Sequence, residues 1–176
     1  AGQSAEARPG APVPPGTRVR TGADGRAVVG SGEEDSWFQL DGGAELAVAL
    51  SPGGRRLQLA SGRLQAHVAK QPAGRNVVVE TPHARATVLG TRFALAARKD
   101  ATWLDVDEGL VEFVRHSDGN TIRVGAGAFA VAAPGMEMGV TNMLAAEVIY
   151  SDRFTNRTLN PFWEAVIPPN REGKAS

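Results

Sequence analysis

The chain has no cysteine among its 176 residues, which excludes disulfides, thiolate metal sites and cysteine nucleophiles. That absence suits an oxidising compartment and the cytosol equally. Charge excess is also missing, because 19 Lys and Arg balance 19 Asp and Glu. A nucleic-acid or anionic-membrane surface as main partner would need a basic surplus, so both are disfavoured. No apolar run approaches the ~20 residues needed to cross a bilayer, and no basic-then-apolar signal peptide precedes Ala1. Histidine is scarce. His67, His83 and His116 show neither H-x-x-x-H nor H-x-H spacing, which speaks against a metal site. No Ser/His/Asp order comes with a nucleophile elbow, and no carboxylate pair sits in a glycosidase context. These absences favour a non-enzymatic protein without a cofactor.

What the chain does have is alternation. Across residues 77–114, Val77, Val79 and Thr81 share one face before Pro82 breaks the run. Ala84, Ala86 and Val88 alternate with Arg85 and Thr87 up to Gly90, and Phe93, Leu95 and Ala97 alternate with Arg92, Ala94 and Arg98. Leu104 and Val106 alternate with Trp103, Asp105 and Asp107, and Val111 and Phe113 open a further segment. A side-chain period of two marks strands with one buried and one wet face.

Residues 1–15 are small and Pro-rich, a flexible lead-in. Short strands follow at 17–20 and 26–29, then at Ser36, Phe38 and Leu40. Asp41-Gly42-Gly43 signals a hairpin, after which Leu46, Val48 and Leu50 share a face and residues 51–54 turn the chain. Leu57 and Leu59 form the next pair, Ser61-Gly62 turns again, and Leu64, Ala66 and Val68 face inward with His67 outward. Beyond residue 114 come a turn at 117–120, Ile122 and Val124, a turn at 125–127, and Phe129 and Val131. The pattern predicts an all-β domain over residues 16–134, with roughly a dozen short, mostly antiparallel strands in a two-layered sandwich or β-roll. Behind Gly139, residues 141–147 are expected to make one or two helical turns with Thr141 as N-cap, or an irregular segment.

Three motifs carry a family resemblance: Thr81-Pro82, then Val88-Leu89-Gly90-Thr91-Arg92-Phe93, then Val106-Asp107-Glu108-Gly109-Leu110-Val111. With Pro15-Gly16-Thr17 at the start and Val124-Gly125-Ala126-Gly127 near the end, the chain resembles the FecR-type periplasmic domain. The resemblance implies a β-rich periplasmic or cell-surface domain. In the best-known members it belongs to a sigma regulator, meets an outer-membrane receptor's signalling domain, and relays arrival of a siderophore by regulated proteolysis. A protein partner, either a receptor signalling domain or a membrane regulator, is thereby implied, in a parent protein anchored in the membrane outside this chain. Residues 135–176 are expected to be a linker and the start of a second domain. There Tyr150-Ser151-Asp152-Arg153-Phe154 and Leu159-Asn160-Pro161-Phe162-Trp163 resemble the first strand of a concanavalin-like, laminin-G-type jelly roll. That resemblance adds two alternatives, a cell-surface scaffold that binds glycan and an accessory domain of a carbohydrate-active enzyme.

Several groups remain to be placed. Gly90-Thr91 lacks the glycine spacing, the lysine and the following helix of a phosphate loop. Gly90 is read instead as a turn or bulge that a Cβ would block, in a backbone conformation closed to β-branched residues, with Thr91 tying the turn and Phe93 anchoring the core. Asp105, Asp107 and Glu108 are expected to pair across strands with Arg85, Arg92 or Arg98, the alternative being a share in a calcium site. The loop at Glu33-Glu34-Asp35 reads as polar and mobile. Trp37 and Trp103 lie opposite their strands' aliphatic rows, so each is either packed under a second layer or exposed as an interaction surface.

Overall fold

The computed structural model describes residues 6–30, 35–51, 54–72 and 74–143. Over these the chain forms thirteen strands. They are β1 (Arg18–Arg20), β2 (Ala27–Gly30), β3 (Trp37–Leu40), β4 (Glu45–Ser51), β5 (Gly54–Val68), β6 (Asn76–Glu80) and β7 (Ala84–Val88). They continue with β8 (Thr91–Ala97), β9 (Thr102–Glu108), β10 (Leu110–Arg115), β11 (Thr121–Gly125), β12 (Ala128–Ala132) and β13 (Val140–Asn142). All pairings are antiparallel except that of β5 with β6.

The strands divide into two layers that share β5. Sheet A runs β1-β4-β5-β6-β7-β10-β11, and sheet B runs β2-β3-β5-β8-β9-β12-β13. β5 has fifteen residues. Its first half pairs with β4 and β6 in sheet A, and its second half with β3 and β8 in sheet B. The transfer happens at Gly62, whose φ of +86° is open to glycine and strained for other residues. A Cβ there would also stand 2.5 Å from the Cα and Cβ of Ala44. The pairing of β4 with β5 slips by one residue beside this point, and the inward parity of β5 changes with it. Leu57 and Leu59 are buried before the pivot, and Leu64, Ala66 and Val68 after it. The expected turn at Ser61-Gly62 is therefore corrected: the strand runs through, and the glycine swings it from one sheet to the other.

Two further expectations are corrected in the same way. Asp41-Gly42-Gly43 does not close a hairpin, because β3 pairs in sheet B and β4 in sheet A. The two glycines make a corner between layers, with Gly43 at φ +70° and Gly42 so close to Ala23 that a Cβ would sit 1.9 Å from its carbonyl oxygen. Thr141 caps no helix; it lies in β13 opposite Phe129. The remainder of that expected helix, the loop 31–34 and the jelly-roll resemblance beyond residue 150 lie outside the described residues.

Between the layers sits one core. Sheet B contributes Phe38, Leu40, Leu64, Phe93, Leu95, Leu104 and Val106, and sheet A contributes Leu46, Leu57, Leu59, Val77, Val79, Val111 and Phe113, all nearly or fully buried. Each such side chain contributes on the order of 1.5–3 kcal/mol of burial free energy, so interlayer packing is the main stabilising term.

Candidate functional site

The motif residues converge on two crossings between layers. At the first, Thr81 and Ala84 bracket the turn from β6 to β7. The Thr81 N–H donates to the Ala84 carbonyl at 2.8 Å, and the Ala84 N–H donates back to Thr81 Oγ1 at 3.0 Å. Thr81 Oγ1 also lies 2.7 Å from Thr102 Oγ1 on β9. One buried hydroxyl pair therefore ties the turn of sheet A to sheet B, while Pro82 is exposed and enforces the break in the strand.

The second crossing brings Gly109 against Gly90 and Thr91, although it lies eighteen positions beyond Thr91. Gly109 has φ +88°, and a Cβ on it would stand 2.6 Å from the Gly90 carbonyl oxygen and 3.0 Å from Thr91 Oγ1. Thr91 Oγ1 donates to the Leu110 carbonyl at 3.2 Å, so the hydroxyl ties two loops and not its own turn. Gly90 needs no special conformation, since its φ is not positive. It is glycine because Lys70 Cα would come within 2.9 Å of a Cβ, which replaces the expected conformational reason with a steric one. Val88, Phe93, Val106 and Val111 flank the crossing with at most 1% exposure. The motif residues thus gather at the two crossings between the layers, with Phe93 beneath the groove on sheet B.

The outward face of sheet B is different. Its rows read Trp37-His67-Arg92-Glu108, then Gln39-Gln65-Ala94-Asp105-Phe129-Thr141, then Arg63-Ala96-Trp103-Val131. Ala94 and Ala96 make a floor of small side chains, and longer ones stand around it. The result is a groove of about 920 Å³ lined by Trp37, Arg63, Gln65, Trp103, Asp105 and Phe129 among others. Both tryptophans are half-buried on this face and line the groove. Trp37 stacks on His67 with ring centroids 6.1 Å apart. Burial in the groove raises the pKa of Asp105; the Arg63 guanidinium opposes the rise and Asp107 adds to it. Glu108 pairs with Arg92 at 3.4 Å, as the sequence suggests, whereas Arg85 pairs with Glu80 at 2.7 Å on the other sheet.

The FecR protein family matches residues 17–112, more than half of the chain. The chain belongs to the FecR family. Two crystal structures of a candidate anti-sigma factor from Parabacteroides distasonis ATCC 8503, at 1.65 and 2.50 Å, share the fold with a TM-score of 0.63 at 17% identity. The match covers 72% of this chain and 59% of that one, so the FecR-family chain described here spans less than two thirds of its structural relative. No curated protein matches it.

One residue of the FecR-family domain escaped the sequence reading. Arg115, at the end of β10, is 6% exposed. Its Nε donates to Asp118 Oδ1 at 2.9 Å and Nη2 to the other carboxylate oxygen, while Nη1 donates to the carbonyls of Ala133 (2.9 Å) and Met136. The guanidinium lowers the pKa of Asp118 to about 2, and the Asn120 N–H reinforces it. Arg115 thus clamps the segment that follows β12 onto the β10–β11 turn. Its only local signal is an inward position that alternation reserves for apolar residues.

Proposed function

We propose that this FecR-family domain is a non-enzymatic, extracytoplasmic module of a signal-transduction regulator that works by binding another protein. Family membership over residues 17–112 supports the regulatory role. The observation that carries the interaction reading is the outer face of sheet B, where Trp37, Trp103 and Phe129 remain partly exposed around an alanine floor. Half-exposed aromatics beside arginines have the composition of interface anchors. The outer face of sheet A carries charged pairs instead, such as Arg20 with Glu45 and Arg85 with Glu80, which contribute little to binding. The motif residues Thr81, Pro82, Val88, Gly90, Thr91, Phe93, Val106, Gly109 and Val111 act by building the platform, and Trp37 and Trp103 act on the partner.

The test is a chromosomal Trp37→Ala/Trp103→Ala double variant in the organism that makes the protein, read by transcript profiling at equal protein level. The proposal expects a defined set of transcripts to change. An unchanged profile with a folded, normally abundant variant would remove the regulatory reading of this face.

A further inference from the structure

We propose that the groove on the outer face of sheet B takes a lysine or arginine side chain and seats it on Asp105 between Trp103 and Phe129. The side chain comes from an extended segment of the partner protein, with apolar residues beside it. Asp105 lies in the middle of the face. Ala94 on β8 and Phe129 on β12 stand directly opposite it, with Cβ atoms about 5 Å away. Trp103 and Asp107 flank it two positions along β9, about 7 Å off. Its surroundings are therefore an aromatic ring on two sides, an alanine on the third and a second carboxylate on the fourth. Ala94 faces outward, yet only 7% of it is exposed, so the longer side chains enclose a depression at this point.

The charges of the groove are unequally matched. Arg63 lies 3.9 Å from Asp41, Arg92 lies 3.4 Å from Glu108, and Arg98 is engaged as well. Asp105 and Asp107 make no hydrogen bond or ion pair among the described residues. Burial raises the pKa of Asp105, and Arg63 offsets this only in part, as for a carboxylate withdrawn from water without a counter-charge in contact. A cation brought against it replaces the lost hydration, and the faces of Trp103 and Phe129 attract the same cation within about 6 Å of a ring. A neutral sugar would leave that charge uncompensated. Two carboxylates are too few for calcium, which takes about six or more oxygens, and no group of three metal-ligating side chains occurs among the described residues. The alanine floor lets a partner's backbone come close, and Trp37, across it on β3, is left for an apolar neighbour. This partner chemistry rests on the reading of the face as a protein-binding surface.

A phage-displayed library of random dodecapeptides, panned against the full chain, tests this. Clones that a Trp37→Ala/Trp103→Ala chain fails to retain should share a lysine or arginine with apolar residues beside it. For a synthetic peptide of that sequence, Asp105→Asn should weaken binding at least about tenfold. Norleucine in place of the basic residue should do the same, and the two losses should not add. Asp105→Lys, panned in the same way, should exchange the basic residue for Asp or Glu, a reversal that a purely structural role for Asp105 would not produce. Selected peptides that lack a common basic residue, or that bind Asp105→Asn unchanged, overturn the proposal; if they still need the tryptophans, the face remains a protein-binding surface. A selection that yields no tryptophan-dependent clone overturns it as well. So does tryptophan-dependent self-association in sedimentation, which assigns the groove to a second copy, and so does tryptophan-dependent binding of neutral oligosaccharides on an array. Basic peptides held through Asp105, with no transcript response to the tryptophan variants, keep the partner chemistry and remove the signalling role.

Discussion

Gly109→Ala is the sharpest probe of how the family motif holds the layers together. Two costs add at this position. An L-residue at φ +88° costs about 1–2 kcal/mol in backbone strain. The new Cβ also meets the Gly90 carbonyl oxygen at 2.6 Å and Thr91 Cα at 3.2 Å, backbone atoms that yield only if the two crossing loops separate. Overpacking of this kind costs about 1–3 kcal/mol, giving a total of about 2–5 kcal/mol. Gly119→Ala is the control, because φ there is +71° and nothing lies within 4 Å of a Cβ. It should show only the strain, about 1–2 kcal/mol. Gly90→Ala isolates the other component, since its φ is not positive and only Lys70 stands in the way. Thermal melts at one pH read all three. At about 2–4 °C per kcal/mol for a chain of this length, a 3 kcal/mol loss in Gly109→Ala lowers Tm by about 6–12 °C. A Gly109→Ala melt no lower than that of Gly119→Ala would refute the claim that the two loops are packed backbone to backbone.

Further outcomes follow from other contacts. Thr81→Val leaves the Ala84 N–H and the Thr102 hydroxyl without their buried partner and should destabilise by about 1–3 kcal/mol in urea titrations. Phe113→Ala empties a fully buried site and should cost about 3–5 kcal/mol by the same assay. Asp118, held at about 2 against an ordinary 3.8, lends stability that is present above the unfolded value and is lost as pH falls through the folded one. Wild-type Tm should therefore fall between about pH 4 and pH 2 in part through this group, and Asp118→Asn should lower Tm at neutral pH while flattening that part of the slope.

Alternation assigned most faces, though in β12 the larger Phe129 and Val131 stand outward while Ala128, Ala130 and Ala132 are buried. Phe38, Leu40, Leu104, Val106 and Phe113 are inward, and Trp37 and Trp103 outward, as their spacing indicates. It was not enough to assign partners. The parity change between Leu59 and Leu64 marks a break in phase, and a local reading cannot tell a turn from a bulged pivot within one strand. Only the partners of β5, up to thirty-five positions away at Ala97, distinguish them. The same holds for Asp41-Gly42-Gly43, where hairpin and interlayer corner use the same residues. Thr141 was read from a capping signal, but pairing of β13 with β12 outweighs so weak a preference. Gly90 and Gly109 were legible as glycines with a purpose; that they press on each other was not, because proximity across the fold leaves no mark in spacing. Arg115 was hidden because its partners are mostly backbone carbonyls, which any sequence supplies.

Site-specific photocross-linking in living cells tests the interaction surface most directly. A photoreactive phenylalanine at Trp37, on the groove side of sheet B, should give an adduct with a second cell-envelope protein, whereas the same residue at Arg85, on sheet A, should give none. Adducts from Arg85 with none from Trp37 would contradict the account.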